Sequence, residues 1–153
     1  MPNDKQLTGN AGVYHVAREL SRHGWNVMLT VRNARGADLF AVSASEEICH
    51  PIQVKSHGPK PQDLSLGLQP DGLVTPWWVF VSDAANSDKQ PTCYVLGLEE
   101  VLKLRTRDPG TRTGKPESER LCWLDRRFYT PGSDRELHDA REAWGKLGDP
   151  RQP

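Results

Sequence analysis

At 153 residues, with 20 basic and 20 acidic side chains, the chain has no formal net charge and a sequence pI near 7.0. That length suits one domain with a proper core, and the charge balance excludes a uniformly basic nucleic-acid coat, so any nucleic-acid site must be a local patch. Cys49, Cys93 and Cys122 are scattered, with no CxxC pair and no histidine at zinc spacing, and the start MPNDKQ has no basic segment followed by an apolar run. Reduced thiols in a cytoplasmic chain are the expectation, and the longest apolar run, residues 77–81, is too short to span a bilayer.

Taken in order, residues 9–24 read as a first helix. Asn10 can cap it, Val13, Val16, Ala17 and Leu20 recur at helical spacing, and Gly24 is a natural left-handed stop. Residues 25–32 follow as a strand and residues 33–36 as a turn carrying Arg35, with Arg32 just before it. Residues 38–43 form a second strand, residues 45–47 a polar hairpin turn, and residues 52–56 a third strand opened by Pro51. The result is a three-stranded meander behind one helix.

Residues 57–76 are rich in Pro and Gly and read as a long loop with room for one short helix. The run Trp77-Trp78-Val79-Phe80-Val81 has the continuous apolar character of a strand covered on both faces. Residues 92–96 are another strand and residues 98–104 a helix. Residues 105–120 contain turn formers and charge, so an exposed basic loop is expected. Residues 121–129 read as a short strand or irregular segment. Leu137, Ala140, Ala143, Trp144 and Leu147 then predict a last helix over residues 134–147. This order describes an α/β fold, a mixed central sheet with helices on both faces and one domain over residues 1–153.

The chemistry centres on residues 33–56. Alternation along a strand puts Gln53 and Lys55 on one side and Ile52 and Val54 on the other. Asp38 opens the neighbouring strand. A hard divalent cation, Mg²⁺ or Mn²⁺, takes oxygen ligands and keeps several waters. Asp38, the Gln53 amide and the Val54 carbonyl can supply such oxygens, while Lys55 can neutralise a phosphate or orient an attacking water. That set suits metal-assisted phosphodiester hydrolysis.

From residue 103 to residue 127 there are eight Lys or Arg against four Asp or Glu. With Arg32, Arg35 and Lys60, this segment, including Arg112 and Lys115, is the candidate surface for a DNA backbone. His57, two residues past Lys55, sits in polar surroundings that predict a surface histidine. Of Trp77 and Trp78, one belongs to the core, and the other is open to a base or a partner. No P-loop, Rossmann glycine pattern or GxSxG is present, so no nucleotide cofactor is expected.

Thr8-Gly9-Asn10-Ala11-Gly12, Val16-Ala17-Arg18-Glu19-Leu20, Gly24-Trp25-Asn26-Val27, Asn33-Ala34-Arg35-Gly36-Ala37-Asp38, Ile52-Gln53-Val54-Lys55 and Trp78-Val79-Phe80-Val81 together resemble the PD-(D/E)XK nuclease superfamily over about residues 8–104. The resemblance implies a restriction endonuclease-like αβββαβ core and a Mg²⁺-dependent DNA endonuclease acting in bacterial restriction, repair or defence. It implies Asp38 as central metal ligand, Lys55 as the family lysine, and Gln53 where the family usually has Asp or Glu. A glutamine there also occurs in active modification-dependent restriction enzymes of the superfamily. Similar sequences carry a glutamate directly after Gly12, where this chain has Val13, and Glu19 lies too far around the helix to replace it. The alternative is therefore a degenerate nuclease fold that binds nucleic acid or a protein partner. Small nucleases of this kind pair so that two sites face two strands, which makes a homodimer through an exposed Trp and the Trp144 segment a further expectation.

Overall fold

Helix α1 spans Asp4–Arg22 in the computed structural model, which describes residues 4–34, 36–67, 73–111 and 113–152, the side chains of 32–34 and 118 aside. It starts before the expected cap at Asn10, with Asp4 in its first turn, where the positive end of the helix dipole favours a carboxylate. It ends where expected: Gly24 takes φ +95°, and the His23 and Trp25 amides close back on the Glu19 and Leu20 carbonyls at 3.0 Å.

Strands β1 (Asn26–Ala34), β2 (Ala37–Val42) and β3 (Cys49–Ser56) form the antiparallel meander, with Leu39 opposite Ile52 and Phe40 opposite Pro51. The next segment departs from expectation. It contains strand β4 (Leu64–Gly67) rather than a helix, so among the described residues the crossover helix of an αβββαβ core is missing. Strand β5 (Trp77–Ser82) then joins β3 in parallel and β6 (Thr92–Gly97) pairs antiparallel with β5. The main sheet has the order β1-β2-β3-β5-β6 and is mixed. Helix α2 (Leu98–Leu104) follows directly.

The loop expected over residues 105–120 is partly structured. Strand β7 (Thr106–Arg107) pairs with β8 (Cys122–Leu124), and β8 pairs with β4, giving a second, three-stranded sheet. Arg107 adds an ion pair to Glu117, so the polar stretch is tied down by charge as well as by its strand.

Two apolar layers sandwich the main sheet. One unites Val16 and Leu20 of α1 with Leu39, Ile52, Val54, Val79 and Val95. The other unites Trp78, Phe80 and Tyr94 with Leu66, Val101, Leu124 and Tyr129 from α2, the small sheet and the turn after it. Both faces of β5 are thus covered, as its continuous apolar sequence requires. Trp78 is buried and Trp77 half-buried.

Residues 134–147 do not form the expected helix. Apart from a 3₁₀ turn at Trp144–Leu147 they run through turns, and residues 140–142 line the edge of β6. The Val95 amide donates to the Ala140 carbonyl at 2.9 Å and the Glu142 amide to the Cys93 carbonyl at 2.7 Å. The apolar spacing misleads because its members serve different layers: Leu137 and Ala140 pack on the α2 side, and Ala143, Trp144 and Leu147 on the α1 side. One straight helix cannot bury residues on both faces of a sheet; a chain rounding its edge can. Among the described residues, no helix is long and apolar enough to cross a membrane.

Candidate functional site

The meander brings Asp38, Gln53 and Lys55 to one face of the sheet. Leu39, Ile52 and Val54 pack on the α1 side, so the residues alternating with them face away from α1. Gln53 lies in register with Trp78 and Lys55 with Phe80, both members of the far-side layer. Asp38 stands one step before the Leu39–Ile52 pair, and continuing that register sets it across from Gln53.

Local backbone shapes the surroundings of Asp38 and Gln53. The Thr30 hydroxyl donates to the Ala37 and Asp38 carbonyls at 3.0 and 3.1 Å across the irregularity in β1. Gly36, at φ +83°, turns the chain into β2. A side chain there would start 3.2 Å from Thr75 Oγ1 and 3.5 Å from Gln53 Oε1, so the bare glycine backbone closes over the glutamine.

Asp38 Oδ2 accepts the Val54 amide hydrogen at 2.7 Å. Burial pushes the Asp38 carboxyl above its ordinary pKa, with the Val54 hydrogen bond and the Lys55 charge pulling the other way. Gln53 is buried and its Oε1 has no donor among the described residues. A desolvated carboxylate and an orphaned amide oxygen therefore share one sheet face. Both are hard oxygen donors.

Among the described residues there is no cluster of three or more His, Cys, Asp or Glu able to hold a metal ion. Val13 packs into the α1-side layer. Glu19 is buried against that layer too, bonded to Arg22 at 3.0 Å, and its charge is felt at Cys93, an α1-side residue.

Two of the expected DNA-contacting residues have described side chains. Lys60 is exposed between β3 and β4, and Lys115 is exposed between β7 and β8, its carbonyl accepting from Arg120 at 3.0 Å. Arg35 and Arg112, and the side chain of Arg32, lie outside the described residues.

His57 is corrected by the structure. It is 3 % exposed rather than on the surface, and its ring lies 5.7 Å from that of Tyr129 in the far-side layer. Its Nδ1 is 2.7 Å from the Gly58 carbonyl, and its Nε2 has no partner among the described residues. Nothing local announces this, because the Tyr129 ring beside it comes from more than 60 positions further along the chain. Gly36 was legible only as a turn former.

No family model matches the sequence, and no curated protein matches it. Among solved structures, a bacterial homing endonuclease superposes with a TM-score of 0.56 at 16 % identity, covering 96 % of this chain and 92 % of that one. The chain therefore shares the mixed α/β fold of a bacterial homing endonuclease.

Proposed function

We propose that the chain is a divalent-metal-dependent DNA endonuclease, working as a single domain on the D…QxK variant of the PD-(D/E)XK plan. The observation that carries this reading is the placing of Asp38, Gln53 and Lys55 on one sheet face of an endonuclease-like fold.

The residues present fit a hard cation. The burial that penalises a charged Asp38 is relieved by a nearby positive ion, and the Gln53 oxygen lacks a donor. Asp38 and Gln53 would hold Mg²⁺ or Mn²⁺, with the Val54 carbonyl as the third candidate and water completing the shell. Bound there, the ion would supply charge neutralisation at the phosphate and a more acidic water. Lys55 binds a non-bridging phosphate oxygen and so orients the scissile bond. The Val54 amide holds Asp38 in place through the whole cycle.

The lean ligand set favours a second reading, a nuclease-like domain that binds without cutting: Val13 stands where similar sequences carry an acid on α1, and among the described residues no cluster of three or more His, Cys, Asp or Glu replaces it. Plasmid cleavage with Mg²⁺ or Mn²⁺ separates the two. Wild type should cut, and Asp38→Ala and Lys55→Ala should each lower the rate at least about 100-fold, the scale on which electrostatic catalytic contacts act. Calorimetric Mn²⁺ binding should vanish in Asp38→Asn. Cleavage that survives both alanine substitutions would refute the site. No Mn²⁺ uptake, with salt-sensitive DNA retention, would establish the binding module instead.

A further inference from the structure

We propose that a cavity at the carboxyl ends of β3 and β5 is a nucleotide subsite, holding one nucleotide of the substrate strand beside the bond that Lys55 orients. The inference rests on the nuclease reading and adds where the strand continues and what is recognised there.

The parallel strands β3 and β5 both stop at this end, after Ser56 and Ser82. Ends of parallel strands are where α/β sheets leave crevices for ligands. The cavity has a volume of about 480 Å³, inside the range of about 300–1,000 Å³ that small-molecule sites occupy. His57, Pro59, Pro61 and Pro131 form its walls, and Lys89 and Gln90, both exposed, belong to its rim. The Tyr129 hydroxyl donates to the Gln62 carbonyl, and the Arg126 amide donates to Asp63 at 2.8 Å, so the proline-bearing wall is anchored before any ligand arrives.

His57, one of the residues lining the cavity, carries an unmet hydrogen-bonding atom. The Gly58 carbonyl can only accept, so the ring nitrogen 2.7 Å from it carries the proton. In the neutral ring Nε2 is then a lone pair, buried and without a donor among the described residues. Such an atom calls for an N–H or O–H group. His57 also continues the polar series Gln53, Lys55 along β3, two residues and about 7 Å beyond the lysine. Three proline rings offer flat apolar contact, the Asp83 carboxylate accepts an N–H, Gln90 can both donate and accept, and Lys89 offers a positive charge. A ligand with apolar ring faces, N–H groups on its edge and a phosphate matches all of them. That ligand is a nucleotide.

The test uses the full chain in metal-free buffer, with the four deoxynucleoside 5′-monophosphates, deoxyribose 5-phosphate and inorganic phosphate titrated calorimetrically. At least one nucleotide should bind at least about tenfold more tightly than deoxyribose 5-phosphate. His57→Phe, which keeps the ring and removes the lone pair, and Lys89→Ala should each weaken that nucleotide about tenfold. The subsite is refuted if no nucleotide binds at millimolar concentration, if the base-free phosphates bind equally well, or if both variants bind like wild type. Because Lys89 is on the surface, its variant decides the matter even if His57→Phe does not fold. Cleavage lost in Asp38→Ala without nucleotide binding would remove this inference alone. Nucleotide binding without metal-dependent cleavage would remove the nuclease reading and keep the subsite.

Discussion

Asp38 accepts the amide hydrogen of Val54 through Oδ2 at 2.7 Å, so one carboxylate oxygen ties β2 to β3 at the point where the candidate site opens. The price of that arrangement is a half-buried charge, and burial raises the Asp38 pKa above its ordinary 3.8. Between the ordinary value and the raised one, the folded chain holds a proton that the unfolded chain has released. Stability therefore falls as pH rises through that window. Asp38→Asn keeps an acceptor for Val54 and removes the charge. In metal-free buffer its thermal midpoint should exceed that of wild type near neutral pH, and the gap should close as pH falls below 3.8. Scanning calorimetry across pH measures this, and parallel curves for the two proteins would contradict it.

Gly12 is a contact residue rather than a flexible one. A side-chain carbon there would stand 1.8 Å from Ser56 Oγ and 2.8 Å from Ser56 Cβ. The gain in helix propensity from Gly12→Ala, about 1 kcal/mol, should be overwhelmed by forcing α1 away from β3. A net loss of about 1–3 kcal/mol is expected from overpacking. Adding Ser56→Gly should recover part of it, because both colliding atoms are then gone. Urea unfolding of the single and double variants measures the coupling, and simple additivity would show that the close approach is not what matters.

Glu142 fastens the C-terminal segment to the edge of β6. Its Oε1 accepts the Cys93 amide hydrogen, its Oε2 accepts the Trp144 indole hydrogen, each at 2.9 Å, and its own amide donates back to Cys93. Glu142→Ala should cost about 1.5–3 kcal/mol, the range for hydrogen bonds to a charged acceptor. Hydrogen exchange at the Cys93 and Val95 amides should speed up selectively. Were residues 134–147 a helix in solution, those two amides would exchange alike in variant and wild type.

Glu136 should govern the acid limb of stability. Burial by itself would push its carboxyl up, but the Tyr94 hydroxyl, the Gly132 amide and the His138 and Arg141 charges outweigh it and hold its pKa below 4.5. A depressed carboxylate contributes stability that is fully present above its ordinary pKa and disappears as pH falls through its folded value. Glu136→Gln should be less stable than wild type at neutral pH and should lose less on acidification. Thermal midpoints between neutral and strongly acidic pH will show whether the two curves converge at the acid end.

The elements read most accurately from sequence were those whose burial is decided by their own periodicity. The stop of α1 at Gly24, the meander and the shared face of Gln53 and Lys55 all follow from repeats of 3.6 or 2 residues. The failures have a common physical origin. Strand β4 is a strand because β8, some 60 residues later, pairs with it, and a four-residue stretch carries no such partner in its own pattern. Residues 137–147 repeat their apolar members at helical spacing, yet those members divide between two layers.

By itself, then, the chain's sequence determined which residues of each segment share a face, because a side chain's direction along a helix or strand is set by backbone geometry alone. Only the tertiary structure decided which layer each face meets. It turned the Val54 amide onto Asp38, set Val13 and Glu19 on the side of the sheet away from the site, and buried His57 beside Tyr129. Those outcomes depend on hydrogen bonds and apolar contacts between segments distant in the chain, and local periodicity holds no record of them.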